Sequence, residues 1–105
     1  MLDYYHGKLA QINYKIAIHP ENANIRLASQ ANSILVIVSE IIPKQYSKQF
    51  LELINLIEIS NKKAARLGKG LHPYKLDGIY NKKAANYIKM LLDIEYALEL
   101  TSGSD

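Results

Sequence analysis

The sequence predicts an all-α fold, a single-domain antiparallel four-helix bundle with up-down-up-down order favoured. Apolar residues recur three and four positions apart along nearly the whole chain, and the alternation that marks a strand is nowhere sustained. The chain has 105 residues, enough for one domain with one modest core, and its 49% apolar and 22% charged composition is that of a folded globule.

The first helix is expected over about residues 2–18, where Leu2, Tyr5, Leu9, Ile12 and Ile16 form one stripe. Gly7 weakens it by up to ~1 kcal/mol relative to alanine. "IHPEN" then breaks the pattern. Pro20 suits a first helical position and holds His19 out of helical geometry, which places a second helix over about 20–42. Its inward residues would be Leu27, Ala31, Ile34, Val38 and Ile41. Pro43 opens the third helix, about 44–67, with Tyr46, Phe50, Leu53, Ile57, Asn61 and Ala64 on one face. "LGKGLHPYKLDG" holds three of the five glycines and one of the three prolines, so residues 67–78 read as a loop. Asp77 suits the N-cap of a fourth helix over about 78–100, whose stripe is Tyr80, Ala84, Tyr87, Leu91, Ile94 and Leu98. Residues 101–105, "TSGSD", read as a frayed tail.

Several functions drop out on composition. Without cysteine there is no disulfide, thiolate metal site or cysteine nucleophile. His6, His19 and His72 lie far apart and none has a helical partner four residues away, so no metal is expected, and no cofactor motif is present. The Ser, His and Asp residues show no arrangement that argues a catalytic triad. No apolar run approaches the ~18 residues of a membrane span, and the N-terminus lacks the basic-then-apolar order of a signal peptide. A cytoplasmic protein is expected. Ile, Lys, Asn and Tyr number 14, 11, 8 and 8, the bias of an AT-rich genome such as that of a phage or a low-GC bacterium.

The charge, by contrast, is informative. The net charge is only +3, yet residues 61–89 carry eight cations against the single carboxylate of Asp77. Residues 1–60 balance five cations with five carboxylates, and residues 90–105 carry four carboxylates and no cation. The pentapeptide "NKKAA" stands at both Asn61–Ala65 and Asn81–Ala85, and its two copies differ in meaning. Lys62 and Lys63 fall in the closing turns of one helix, where cations complement the negative dipole end. Lys82 and Lys83 open the next helix, at the positive end, where they oppose it. A local rule broken without visible compensation points to function. Antiparallel packing brings both pairs to one end of the bundle.

The expected partner-binding residues are therefore Lys62, Lys63, Arg66, Lys69, His72, Tyr74, Lys75, Lys82 and Lys83. Cations interleaved with rings suit phosphates and bases, and equally suit a carboxylate-rich protein surface. An acidic protein surface is the favoured partner, with nucleic acid second; a homodimer is also admitted.

"RLGKGLH" sets Arg66 and His72 five residues apart. This spacing in an all-α domain resembles the Arg-(four to six residues)-His motif of HEPN domains, with Leu67 where that family often has a polar residue. The resemblance implies a metal-independent ribonuclease, active as a dimer, with Arg66 and His72 in the cleavage site. The architecture is also similar to the basic four-helix immunity proteins that protect bacteria from pediocin-like bacteriocins. The favoured expectation is a small non-catalytic regulatory or adaptor protein, of a host-takeover, lysis-control or immunity type, that binds an acidic macromolecule through its basic end.

Overall fold

The computed structural model describes residues 2–68 and 75–103, and the fold is all-α, with no strand among the described residues. Among the described residues five α-helices follow in order: α1 (Leu2–Ile18), α2 (Ala23–Ser29), α3 (Ala31–Leu35), α4 (Lys44–Arg66) and α5 (Asn81–Gly103). A 3-10 turn at Ser39–Ile41 precedes α4.

The long second helix predicted from the spacing is replaced by three short pieces. Glu21 and Pro20 stay outside: Asn22, not Pro20, starts α2, its side chain accepting the Ile25 N–H at 3.1 Å. The helix stops after one and a half to two turns, because Ser29 Oγ donates to the Arg26 carbonyl at 2.6 Å and the Gln30 N–H turns to Leu27. After α3, Val36, Ile37 and Val38 are stiff at the first side-chain torsion and suit extended backbone better than helix, and Val38 adopts it (φ −76°, ψ 121°). Three of the five expected inward residues, Leu27, Ala31 and Ile34, are buried, but the breaks shift the rest: Val38 and Ile41 are only half-buried, and Ile37 and Ile42 take their places.

The two long helices match their periodicity. Phe50, Leu53, Ile57 and Ala64 of α4 are buried, as are Ala84, Tyr87, Leu91, Ile94 and Leu98 of α5. Gly68 closes α4 at φ +72°, a left-handed conformation that costs glycine nothing. α5 touches α1, α2 and α4. It runs antiparallel to α4: Tyr46 and Gln49 at the start of α4 border one hollow with Asn86, Met90 and, at its rim, the exposed Lys89, and Ser60 and Ala64 near its end border another with Ile79 and Tyr80, just before α5.

Two expectations at the start of α5 are corrected. Asp77 is not its cap; the helix opens four residues later, with the Ala84 N–H on the Tyr80 carbonyl. Asp77 instead occupies a turn completed by Gly78 at φ +77°. Tyr80, assigned to the inner stripe, lies before the helix and is 87% exposed. At the other end the backbone of α5 continues through Gly103, past the predicted stop at 100.

Candidate partner-binding end

The connection between α4 and α5 is built around two buried polar residues. Asn24 of α2 is 5% exposed, and its side chain serves the incoming strand of backbone on both sides. Its Nδ2 donates to the Leu76 carbonyl at 3.0 Å and the Ile79 carbonyl at 3.2 Å, and its Oδ1 accepts the Leu76 N–H at 2.7 Å. Ser60 Oγ accepts the Asp77 N–H at 2.9 Å and donates to the Leu56 carbonyl at 2.8 Å. Leu76, 1% exposed, plugs the core between them. Backbone polar groups in a buried loop need such partners, because an unpaired one costs as much as a lost hydrogen bond. The result is a loop segment fixed to α2 and α4 that sets where α5 begins.

The predicted lysines sit around this frame. Lys63 and Arg66 lie in the last turn of α4, Lys62 beside them, and Lys82 and Lys83 in the first turn of α5. All five are exposed, as is Lys75. Lys63, Leu67, Lys75, Asp77 and Tyr80 line one open groove whose floor is Ala64, Leu76 and Ile79. Lys69, His72 and Tyr74 lie outside the described residues, so the expected pairing of Arg66 with His72 does too.

The two copies of NKKAA do different structural work. Asn61 Nδ2 donates to Asn32 Oδ1 at 3.2 Å, tying α4 to α3, whereas Asn81 Oδ1 accepts the Asn24 N–H at 3.2 Å, tying α5 to α2. Lys63 pairs with Asp77 at 2.9 Å, a half-exposed ion pair worth about 0–1 kcal/mol. Lys83 Nζ lies 5.4 Å from the centre of the Tyr87 ring, within cation–π range. Of the two lysines at the positive end of α5, Lys83 thus gains a compensating contact that the sequence does not show. The negative end of antiparallel α4 is also close by.

Burial, reinforced by the charge of Glu52, raises the Tyr87 hydroxyl above its usual range. The unfolded chain ionises a tyrosine near pH ~10, so the stability Tyr87 contributes is complete below that pH and is lost as pH rises through its raised folded value. Tyr87→Phe is expected to flatten the fall in stability above about pH 10 without altering the neutral value much, as urea melts at neutral and alkaline pH would show. An unchanged alkaline slope would contradict it.

Among the described residues no three His, Asp or Glu side chains gather as a metal site, and no helix is long and apolar enough to cross a membrane. Comparison of the chain with protein-family models, with curated proteins and with solved structures finds no match in any of the three. Geometry and charge carry the functional argument alone.

Sequence reasoning did not single out Asn24 or Ser60. The signal was present: Asn24 stands three and four residues before Leu27 and Ala28, and Ser60 three after Ile57, so both lie on inward faces. A polar residue on an inward stripe implies a buried backbone group in need of a partner.

Proposed function

We propose that this protein is a small non-catalytic adaptor or regulator that binds an acidic macromolecular partner through the end of the bundle where α4 closes and α5 opens. One observation carries the reading. Lys62, Lys63, Arg66, Lys75, Lys82 and Lys83 are exposed around a connection that Asn24 and Ser60 hold in place. Asp77 is the single carboxylate of residues 61–89 and is already paired with Lys63. Like charges held together cost stability, and an acidic surface relieves that cost on binding. The half-buried Ile79, with the exposed Leu67 side chain and Tyr80 ring at the groove's edge, suits a protein side chain as a central anchor. This favours a protein surface over a nucleic acid.

The test is affinity capture from a lysate of the cells that make the protein, with wild-type bait beside the Lys62→Glu/Lys63→Glu and Lys82→Glu/Lys83→Glu variants. An acidic protein held by the wild type and lost from both variants is expected, with single-stranded RNA left intact by the purified protein. Retention of the same protein by all three baits, or metal-independent RNA cleavage, would contradict the reading.

A further inference from the structure

We propose that the outward face of α5 is a self-association surface on which a second copy of this chain docks antiparallel. α5 is packed against α1, α2 and α4, and its remaining face carries Ala85, Lys89, Leu92, Tyr96 and Leu100 in one stripe, all exposed. Leu92, Tyr96 and Leu100 are 49%, 63% and 59% exposed. They stand four residues apart, so they form a continuous apolar row rather than the scattered single residues normal on a surface.

Charge selects the occupant and its direction. The first half of this face carries Lys82 and Lys89, and the second half is flanked by Asp93 and Glu99. None of these four enters an ion pair among the described residues. An acidic partner would meet repulsion along the second half, and a basic one along the first. A surface with the same order reversed fits both halves, and a second α5 laid antiparallel is such a surface. Parallel docking would set lysine on lysine.

The register follows from the rise of about 1.5 Å per residue. A two-fold axis near Leu92 sets Ala85 against Leu100 of the second copy and Lys89 against its Tyr96, where the lysine stem covers the ring. The ammonium then lies within roughly one turn of both Asp93 and Glu99 of that copy. The antiparallel order also sets the two helix dipoles head to tail, and it carries the two basic ends to opposite ends of the pair. A single helix pair buries less than the roughly 1,200 Å² of a standard interface, so the dimer is weak and sensitive to salt.

Sedimentation velocity at low and high salt, from about 10 µM to about 500 µM, tests this, since weak pairs populate in that range. A reversible dimer that salt weakens is expected. Lys89→Glu should weaken it at least ~10-fold, and Asp93→Lys with Glu99→Lys should do the same. A chain carrying all three changes should bind at least about 3-fold better than either parent variant, because the pairing of position 89 with 93 and 99 is restored with its signs exchanged while Lys82 stays unmatched. A monomer at every concentration, a dimer indifferent to these changes, or a triple variant no better than its parents would overturn the proposal. Circular dichroism verifies that each variant is folded. None of Lys62, Lys63, Lys82 and Lys83 is altered in these variants, and Lys62→Glu/Lys63→Glu leaves the α5 face intact, so loss of the dimer and loss of the acidic partner are read separately.

Discussion

Leu91→Ala, like Leu53→Ala, is expected to lower unfolding free energy by about 2–5 kcal/mol. Both side chains are fully buried in the shared core, Leu53 on α4 and Leu91 on α5. Truncation removes apolar surface from a packed interior and leaves a space that rigid helices close only in part. Leu91 has a second consequence: its carbonyl accepts Asn13 Nδ2 from α1 at 3.1 Å, so collapse around the vacancy displaces that bond. Denaturant melts monitored by circular dichroism measure the cost. A loss under ~0.5 kcal/mol at both positions would mean that the buried faces of α4 and α5 are wrongly assigned.

Asn24→Ala is expected to cost roughly 2–4 kcal/mol, although it deletes only a small polar group. Three hydrogen bonds to residues 76–79 disappear together, and the Leu76 N–H and carbonyl are left in a buried setting. A buried backbone group stripped of its partner bears its full desolvation cost. Asn24→Asp separates the two functions of the side chain. It retains an acceptor for the Leu76 N–H but loses both donors and places a charge in the interior. The aspartate variant should therefore be no more stable than the alanine variant at neutral pH and should gain stability as the pH falls. If Asn24→Ala melts like the wild type, the connection is not held by Asn24, and the placement of Lys75 on the same groove as Lys63 loses its cause.

How much of this was legible depended on what each feature requires. The stripes of α1, α4 and α5 were readable because burial alone fixes them; Leu9, Ile12 and Ile16 recur at the spacing that one face demands. The second helix was misread because apolar spacing continues through Ala31, Ile34 and Ile37 while the backbone between them breaks. Competition from Ser29 for the Arg26 carbonyl and the stiffness of three successive β-branched residues are weak local preferences, and periodicity does not register them. Asp77 was misassigned for a related reason. An aspartate before a helix satisfies either backbone or a cation, and the choice depends on Lys63, fourteen residues away in sequence. The charge asymmetry was legible outright. Its relief was not, since the Tyr87 ring beneath Lys83 and the end of α4 beside α5 exist only once the chain is folded.

The central claim is that the clustered lysines serve a partner and do not merely tolerate one another. The most direct measurement is the affinity for the captured acidic partner, at low and high salt, of the wild type and of the two double variants. Lys82→Glu/Lys83→Glu should bind at least ~10-fold more weakly at low salt, with the difference shrinking as salt screens the lost attraction. Its stability should change by less than ~1 kcal/mol, since relief at the helix start is offset by loss of the contact with Tyr87. Lys62→Glu/Lys63→Glu should weaken binding similarly and also cost about 1 kcal/mol of stability, because it sets a carboxylate against Asp77 and opposes the end of α4. Equal affinities for all three proteins at both salt concentrations would contradict the claim.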